Sequence, residues 1–448
     1  MNNGPAYFEC NDERLNKAFR LAVGCVEANV AVIKHGLLTE EKPCVMAGLD
    51  YAAPWTRDAA INVMNAVKYF DAEIAENTLL SVLTTDKNRV IVGDQYWDNV
   101  IWGLAAYELY CVNKDEKFLS LAYAALDNTL SDRINQEFDE KIGLFRGPAV
   151  YGDGVSAYPD KYTDTDFNSG ILSWVDSHVD ERAEKGYGLP MFALSTNCLY
   201  YAAMRTADTM AELLGKQTKY KAAADRLKNT VENKFFNGKS YDYLYSESSA
   251  QEGLGLSFLL LFDIVPKDRA EDIIKNVYVT KYGIPCVYPS FPRYNAYGFG
   301  RHSGTVWPHV QGFWAKAALK YGNTQAFDRE LFALADNAVK YMQFAEIYHP
   351  ENGEIYGGVQ EINAFGKKGI DLWKSCDYQT WSATAFLNMI FEGIAGYSTI
   401  NGKFNPYLPD GIDYVKLNNF AVGNKRYDLN IKRSGDTVVF ETAQRTNK

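Results

Sequence analysis

The chain has 448 residues, of which 47% are hydrophobic and 23% are charged, values typical of a folded globular protein rather than a disordered one. Its 46 basic and 56 acidic side chains leave a net charge of −10 without a clustered basic stripe, which argues against nucleic-acid binding. The sequence has neither an apolar run of the roughly 20 residues that a membrane helix needs nor a secretory signal at its start.

We therefore expect a soluble protein without a membrane partner. It would be cytoplasmic or, if a signal was removed before Met1, periplasmic or secreted. Seven scattered cysteines form no C-x-x-C pair or Cys/His cluster, so we expect neither a metal site nor a disulfide scaffold. We also expect no cofactor.

Apolar residues recur with helical periodicity in twelve stretches of the chain. The predicted helices cover about residues 11–33, 58–70, 73–85, 97–112, 116–130, 196–215, 218–234, 251–263, 267–277, 309–321, 325–343 and 380–395. A tight link follows each even-numbered helix, and a longer connector precedes it. This alternation predicts a closed ring of helical hairpins, with all long connectors at one end.

Three of the connectors are very long, which favours functional loops over structureless ones. They cover residues 131–195, 278–308 and 344–379. After residue 400, short alternating runs separated by Gly-Asn and Gly-Asp predict β-strands at 414–417, 427–431 and 437–441. We therefore divide the chain into a helical unit, 1–400, and a small β unit packed on it, 401–448.

The even-numbered helices begin with aromatic and polar residues that could simply cap each helix. Their recurrence at alternate helices instead predicts one rim of a ring, able to stack on sugar rings and to bind hydroxyl groups. The candidate substrate-binding residues on this rim are Trp55, Arg57, Asp58, Trp97, Asp98, Trp307, His309 and Trp381. His302 is a further candidate donor to substrate hydroxyls.

Several of these segments resemble one group of enzymes. The run Tyr51-Ala52-Ala53-Pro54-Trp55-Thr56-Arg57-Asp58 resembles the Trp-x-Arg-Asp segment of glucoamylase-type glycoside hydrolases. The run His302-Ser303-Gly304-Thr305-Val306-Trp307-Pro308 resembles the Gly-x-Val-Trp-Pro segment of processing α-glucosidase and glycogen-debranching relatives. Residues 344–353 resemble their loop with Glu-x-Tyr, and the tail from Asn405 resembles their small β unit.

The resemblance covers about residues 10–441. It implies an all-α fold, the (α/α)6 toroid of six-hairpin glycosidases, with a small C-terminal β appendage. It also implies hydrolysis of an α-linked glycoside with inversion of configuration, and it makes Glu346 the general base. Glu361 is the reserve base.

The general acid is less defined, because the Ser-Gly-Trp-Asp motif of the relatives is absent. Asp153 occupies a comparable place in the first long connector, between two glycines, and we expect partial desolvation to raise its pKa as a general acid requires. Gly152-Asp153-Gly154 also fits a simple tight turn. Asp94, Asp180 and Glu181 remain alternatives.

The sequence thus predicts a glycosidase with Asp153 as acid and Glu346 as base, acting on a carbohydrate. Two other hypotheses stay open. One is a sugar epimerase, polysaccharide lyase or phosphorylase on the same toroid, and the other is a non-catalytic carbohydrate-binding protein.

Overall fold

A computed structural model describes residues 6–363, 368–435 and 437–445, and this part of the chain is mostly helical. Its α-helices are α1 (Glu13–Ala28), α2 (Thr56–Asn65), α3 (Ala72–Leu80), α4 (Ile101–Asn113), α5 (Glu116–Glu137), α6 (Ile171–Ser177), α7 (Leu194–Leu213), α8 (Lys221–Lys234), α9 (Gly253–Leu261), α10 (Lys267–Asn276), α11 (Pro308–Lys320), α12 (Thr324–Tyr341) and α13 (Thr380–Asn388). A π-helical turn, Met389–Ile394, continues α13.

All twelve predicted helices are present, and α6 is an additional short helix inside the first long connector. The first predicted helix was too long at its end. After the cap at Asn29, the run Val30–Ile33, in which three of the four residues are β-branched, forms a strand instead.

Six helices contact one another in a closed circuit, in the order α2, α4, α7, α9, α11 and α13, and α13 returns to α2. We call these six the inner helices. Every residue of α13 is buried, whereas α10, which packs outside α9, buries only Ala270 and Ile273. A helix that is buried all round belongs to a core, and a one-sided helix belongs to its periphery.

Within the described ranges, short strands form six two-stranded antiparallel ribbons in the connectors. They are β2 (Val30–Ile33) with β3 (Lys42–Val45), β4 (Leu83–Asp86) with β5 (Arg89–Val92), β6 (Phe138–Asp139) with β7 (Leu144–Phe145), β8 (Gln251–Glu252) with β9 (Val287–Tyr288), β10 (Val359–Glu361) with β11 (Ile370–Leu372), and β12 (Tyr397–Ser398) with β13 (Lys403–Phe404).

The small C-terminal sheet is present, and the three predicted strands lie inside its last three strands. Its order is β1 (Tyr7–Cys10), β14 (Tyr414–Val422), β15 (Lys425–Ser434) and β16 (Thr437–Arg445), all antiparallel. The edge strand β1 comes from the start of the chain, with Phe8 opposite Leu417. Phe420 packs on Tyr69 and Phe391 of the helical body. The division at residue 400 stays a prediction.

Candidate active site

A cavity of about 570 Å³ opens where several inner helices begin. This size lies within the range of small-molecule sites, roughly 300–1,000 Å³. The cavity is lined by residues from the helix starts and from the long connectors that precede them. Eight of the ten predicted site residues are among them: Trp55, Arg57, Asp58, Trp97, Asp153, Trp307, Glu346 and Trp381.

Glu346 is held by three donors at the inner wall of this cavity. Its Oε1 accepts a hydrogen bond from the Tyr51 hydroxyl (2.9 Å), and its Oε2 accepts from Arg301 Nη2 (2.7 Å) and from the backbone N of Cys376 (3.0 Å). Its side chain is only 3% exposed. Three donors from three parts of the chain fix the carboxylate in one orientation.

Asp153 faces the same cavity and is more open, with its side chain 42% exposed. Its Oδ1 lies 3.2 Å from His302 Nε2, and its Oδ2 lies 3.6 Å from Arg57 Nη2. Burial tends to raise the pKa of Asp153, but the hydrogen bond to His302 and the charge of Arg57 outweigh it and hold this pKa well below its usual range. The predicted increase of the Asp153 pKa is therefore wrong.

Asp58 is the carboxyl group of this cavity whose pKa is raised. It sits in the first turn of α2, is buried, and accepts a hydrogen bond from Gln379 Nε2 (3.3 Å). Burial, with the nearby charges of Glu346 and Asp153, raises the pKa of Asp58 to about 7, although Arg57 acts in the opposite direction. Near neutral pH, Asp58 can therefore both donate and accept hydrogen bonds.

Arg57 links the cavity to the layer behind it. Its Nη1 donates to Asp98 (3.1 Å), Gln95 (3.2 Å) and the carbonyl oxygen of Val150 (2.9 Å). Asp98 is buried one layer behind the cavity lining, and His309 lies at the same depth between Trp307 and Trp381. The predicted contacts of Asp98 and His309 with a sugar stay predictions.

The four tryptophans of the predicted rim differ in exposure. Trp97, Trp307 and Trp381 line the cavity but are nearly buried, and the Arg57 guanidinium lies 5.6 Å from the centre of the Trp381 ring. Trp55 is exposed at the mouth. The three buried rings therefore contribute to the core as well as to the wall of the cavity.

The alternative carboxylates are placed differently. Asp94 lines the cavity and accepts a hydrogen bond from the Thr56 backbone N (3.2 Å), whereas Asp180 and Glu181 lie on an exposed turn away from the lining. Glu361 is buried against Tyr294 (2.8 Å) and Arg293 (2.9 Å), where it ties β10 to the segment before α11.

Sequence reasoning missed Tyr51, Arg301 and Gln360, all of which line the cavity. Tyr51 and Arg301 immediately flank the recognised segments, at the start of the run 51–58 and just before His302. Their position beside these segments is the signal that could have identified them as site residues. Their contact with Glu346 depends on the tertiary structure.

Two negative findings concern the described residues. No group of three or more His, Cys, Asp or Glu side chains there is placed to hold a metal ion. Within the same residues, no helix has the length and apolar character needed to cross a bilayer.

Comparisons with known proteins give a match to one family model and several similar folds. Residues 97–382 match the family model of the mannosylglycerate hydrolase MGH1-like glycoside hydrolase domain. No curated protein matches the sequence.

Among solved structures, a sialidase has a similar fold, with a TM-score of 0.70 at 14% identity. The alignment covers 98% of this chain and 40% of the sialidase chain. A GH78 rhamnosidase of Bacillus sp. GL1 has a TM-score of 0.63 at 14% identity, covering 98% of this chain and 41% of its own. A GH63 mannosylglycerate hydrolase of Thermus thermophilus, in complex with glucose, has a TM-score of 0.61 at 14% identity, covering 83% and 99%. The chain thus spans about two fifths of the first two proteins, and at these identities the likeness concerns the fold.

Proposed function

Because the chain belongs to the family of mannosylglycerate hydrolase MGH1-like glycoside hydrolase domains, whose model matches residues 97–382, we propose that it hydrolyses a small α-linked glycoside with inversion of configuration. The observation that carries the proposal is the presence of two carboxylates, Asp153 and Glu346, from two different long connectors, on one cavity. Inverting glycosidases need such a pair, one on each side of the scissile bond.

The proposed fold is the (α/α)6 toroid. The closed circuit of inner helices supports it, as does the location of the cavity at their starts. In this arrangement the long connectors bring distant parts of the sequence to one rim.

In the proposed reaction, Glu346 takes a proton from a water molecule, whose oxygen bonds to the anomeric carbon from the face opposite the leaving group. The bond from that carbon to the glycosidic oxygen breaks, and Asp153 gives its proton to the departing oxygen. The donors on Glu346 support its role as base, because they orient its carboxylate toward a single position.

Asp153 must be protonated to act as the acid, although its pKa in the free protein is low. A glycoside seated against it would cover the exposed part of its carboxyl group, and loss of water raises the pKa of a carboxyl group. We infer that Asp153 takes up a proton as the substrate binds.

Arg57 and Asp58 are the proposed ligands of the sugar hydroxyls. Arg57 Nη2 and the Asp58 carboxyl group face the cavity beside the catalytic pair, and a guanidinium and a carboxyl group together offer fixed donors and acceptors. Trp307 and Trp381 would form the apolar wall against the sugar ring.

The test is proton NMR of the protein with a panel of α- and β-linked glycosides and oligosaccharides, recorded early enough to identify the first anomer released. We expect an inverted product. Glu346→Gln and Asp153→Asn should each lower kcat by at least about 100-fold, because general acid–base catalysis contributes roughly 10²- to 10⁴-fold.

Matched controls come from the exposed turn. Asp180→Asn and Glu181→Gln make the same chemical changes away from the cavity and should retain activity. Retention of configuration would overturn the inverting mechanism. A dependence on phosphate would favour a phosphorylase, an unsaturated product a lyase, and binding without turnover a carbohydrate-binding protein.

A further inference from the structure

The outer part of the cavity differs in character from its inner part. Inside, Arg57, Asp58 and Glu346 are polar and nearly buried. Outside, the wall is formed by Trp55, Leu172 and Trp373, whose exposed fractions are 47%, 37% and 41%. Large apolar side chains that stay exposed beside a cavity mark a surface that a ligand can cover.

Leu172 of this apolar wall lies beside Asp153, whereas Trp373 belongs to the segment whose Cys376 backbone N donates to Glu346 (3.0 Å). The backbone N of Ile171 donates to the backbone oxygen of Asp153 (2.8 Å), which places the next residue, Leu172, on the segment bound to the proposed acid. Asp153 is also the more exposed carboxylate of the pair, while Glu346 lies deeper. The acid meets the leaving oxygen, so the outer, more open part of the cavity adjoins the leaving group, and the exposed apolar side chains flank this part.

Trp55 is held there in an unfavourable backbone conformation. Its φ is +53°, in the region that a bulky non-glycine residue rarely adopts. Such strain clusters at functional sites. The strain at Trp55 is therefore evidence, independent of its exposure, that this ring has a role at the mouth of the cavity.

The charges of the cavity disfavour an anionic leaving group. Four carboxyl groups line it, Asp58, Asp94, Asp153 and Glu346, against two guanidinium groups. Arg57 is bound to Asp98 and Asp153, and Arg301 to Glu346 and to the carbonyl oxygens of Gly357 and Lys374. A carboxylate on the substrate would have to compete with these partners for the guanidinium groups and would lie near the carboxylates of Asp94 and Glu346.

We propose that the leaving-group side of this site recognises an uncharged aglycone with a flat apolar ring, and not a carboxylate-bearing aglycone. This inference rests on the proposed glycosidase activity. The mannosylglycerate hydrolase with a similar fold is named for a substrate whose aglycone, glycerate, carries a carboxylate. The proposed aglycone therefore belongs to a different substrate class.

The test compares three α-glycosides of the sugar that the NMR panel identifies: methyl, benzyl and 4-carboxybenzyl. The two benzyl compounds differ only by a remote charge. We expect kcat/KM for the benzyl glycoside to exceed that for the methyl glycoside by about 5- to 10-fold, the scale of one aromatic contact. The 4-carboxybenzyl glycoside should be at least about tenfold poorer than the benzyl one.

Trp373→Ala should reduce the preference for benzyl over methyl to less than about twofold, because one face of the apolar wall is lost. The matched control is Leu372→Ala. Leu372, the last residue of β11, precedes Trp373 and is exposed but lies outside the cavity lining, so this variant should keep the preference for the benzyl glycoside.

Two failures are distinguishable. If none of the panel glycosides is hydrolysed, the proposed function fails and the inference fails with it. If the sugar is released but the 4-carboxybenzyl glycoside equals or exceeds the benzyl one, or if Trp373→Ala keeps the benzyl preference, the glycosidase stands and the apolar, uncharged aglycone is ruled out.

Discussion

Asp153 and His302 form the contact that sets the charge of the cavity in the absence of substrate. Burial lowers the pKa of His302 in spite of the adjacent Asp153, and its Nε2 lies 3.2 Å from Asp153 Oδ1. The second ring nitrogen, Nδ1, lies 3.0 Å from the Ser156 hydroxyl, which holds the ring in place. His302 is thus a positioning residue for Asp153.

Proton uptake by Asp153 makes glycoside binding depend on pH. If the complex binds one more proton than the free protein, affinity rises as pH falls, by up to about tenfold per pH unit between the two pKa values of Asp153. We expect this slope in calorimetric titrations between pH 7 and pH 5 of the Glu346→Gln variant, whose turnover should be at least about 100-fold slower.

The control is the double variant with Asp153→Asn added. Asp58, whose pKa is about 7, also titrates in this range, and its contribution remains in the double variant. Only the part of the slope that disappears belongs to Asp153. An affinity slope equal in both variants would contradict proton uptake by Asp153.

At the scale of elements, the two ends of the inner helices have different roles. None of the six inner helices, all within the described residues, begins with a side-chain cap, whereas α1, α3, α5 and α12 begin with an Asp or Asn cap. The polar residues at the inner helix starts therefore serve the cavity and its connectors instead of capping their own helices.

The opposite ends of the inner helices are joined by a buried network of charges. Lys68, just after α2, is fully buried and bonds to Glu108 of α4 and to Glu392 (2.9 Å) in the π-helical turn, and Lys316 of α11 also bonds to Glu392 (2.6 Å). Burial tends to raise the pKa of Glu392, but the two lysines outweigh it and hold this pKa below its usual range. Cations near helix C-termini also oppose the negative end of the helix dipole.

Lys68→Met should lower the free energy of unfolding by up to about 3–5 kcal/mol, the range for removing one partner of a buried ion pair, because Glu108 loses its lysine and Glu392 keeps only Lys316. The lowered pKa of Glu392 stabilises the fold at pH values above 4.5, the ordinary pKa of this group, and this contribution to stability is lost as the pH falls. The difference between wild type and variant should therefore shrink below pH 4.5.

Chemical denaturation at pH 7 and pH 4 measures both effects. Lys267→Met, on an 82% exposed side chain, is the control and should change stability by less than about 0.5 kcal/mol. A Lys68→Met variant as stable as the control would show that the network contributes nothing.

For the whole molecule, closure of the inner circuit needs helices that approach closely. Gly312 of α11 faces Ala385 of α13, and a Cβ added to Gly312 would lie 2.9 Å from the Ala385 Cβ. Gly24 of α1 is exposed, and a Cβ added there meets no atom within 4 Å. Replacing each of these two glycines by alanine therefore distinguishes the effect of helix propensity from the effect of packing between helices.

Gly24→Ala should raise stability by about 0.5–1 kcal/mol, because alanine favours the helix over glycine. Gly312→Ala should instead lower it by about 1–3 kcal/mol, because overpacking between α11 and α13 exceeds the same propensity gain. Thermal and chemical unfolding of the two variants test this. An equal gain in both would mean that the circuit has room at Gly312.

Local patterns in the sequence determined the twelve helices and the three C-terminal strands. Helical periodicity and alternation depend on neighbours a few residues apart, which the sequence displays directly. The repeated clusters at alternate helices also predicted six residues of the cavity lining, because residues at equivalent ends of a ring of hairpins meet at one rim: Trp55, Arg57, Asp58, Trp97, Trp307 and Trp381.

Only the tertiary structure decided which distant groups meet and what charge they carry. β1 pairs with β14 across some four hundred residues, and the Tyr51 hydroxyl reaches Glu346 from another helix start, contacts without a local signal. The low pKa of Asp153 depends on the positions of His302 and Arg57, and electrostatic interactions depend on distance in space rather than along the chain. The sequence alone determined the elements and the rim, and their packing determined the chemistry of the site.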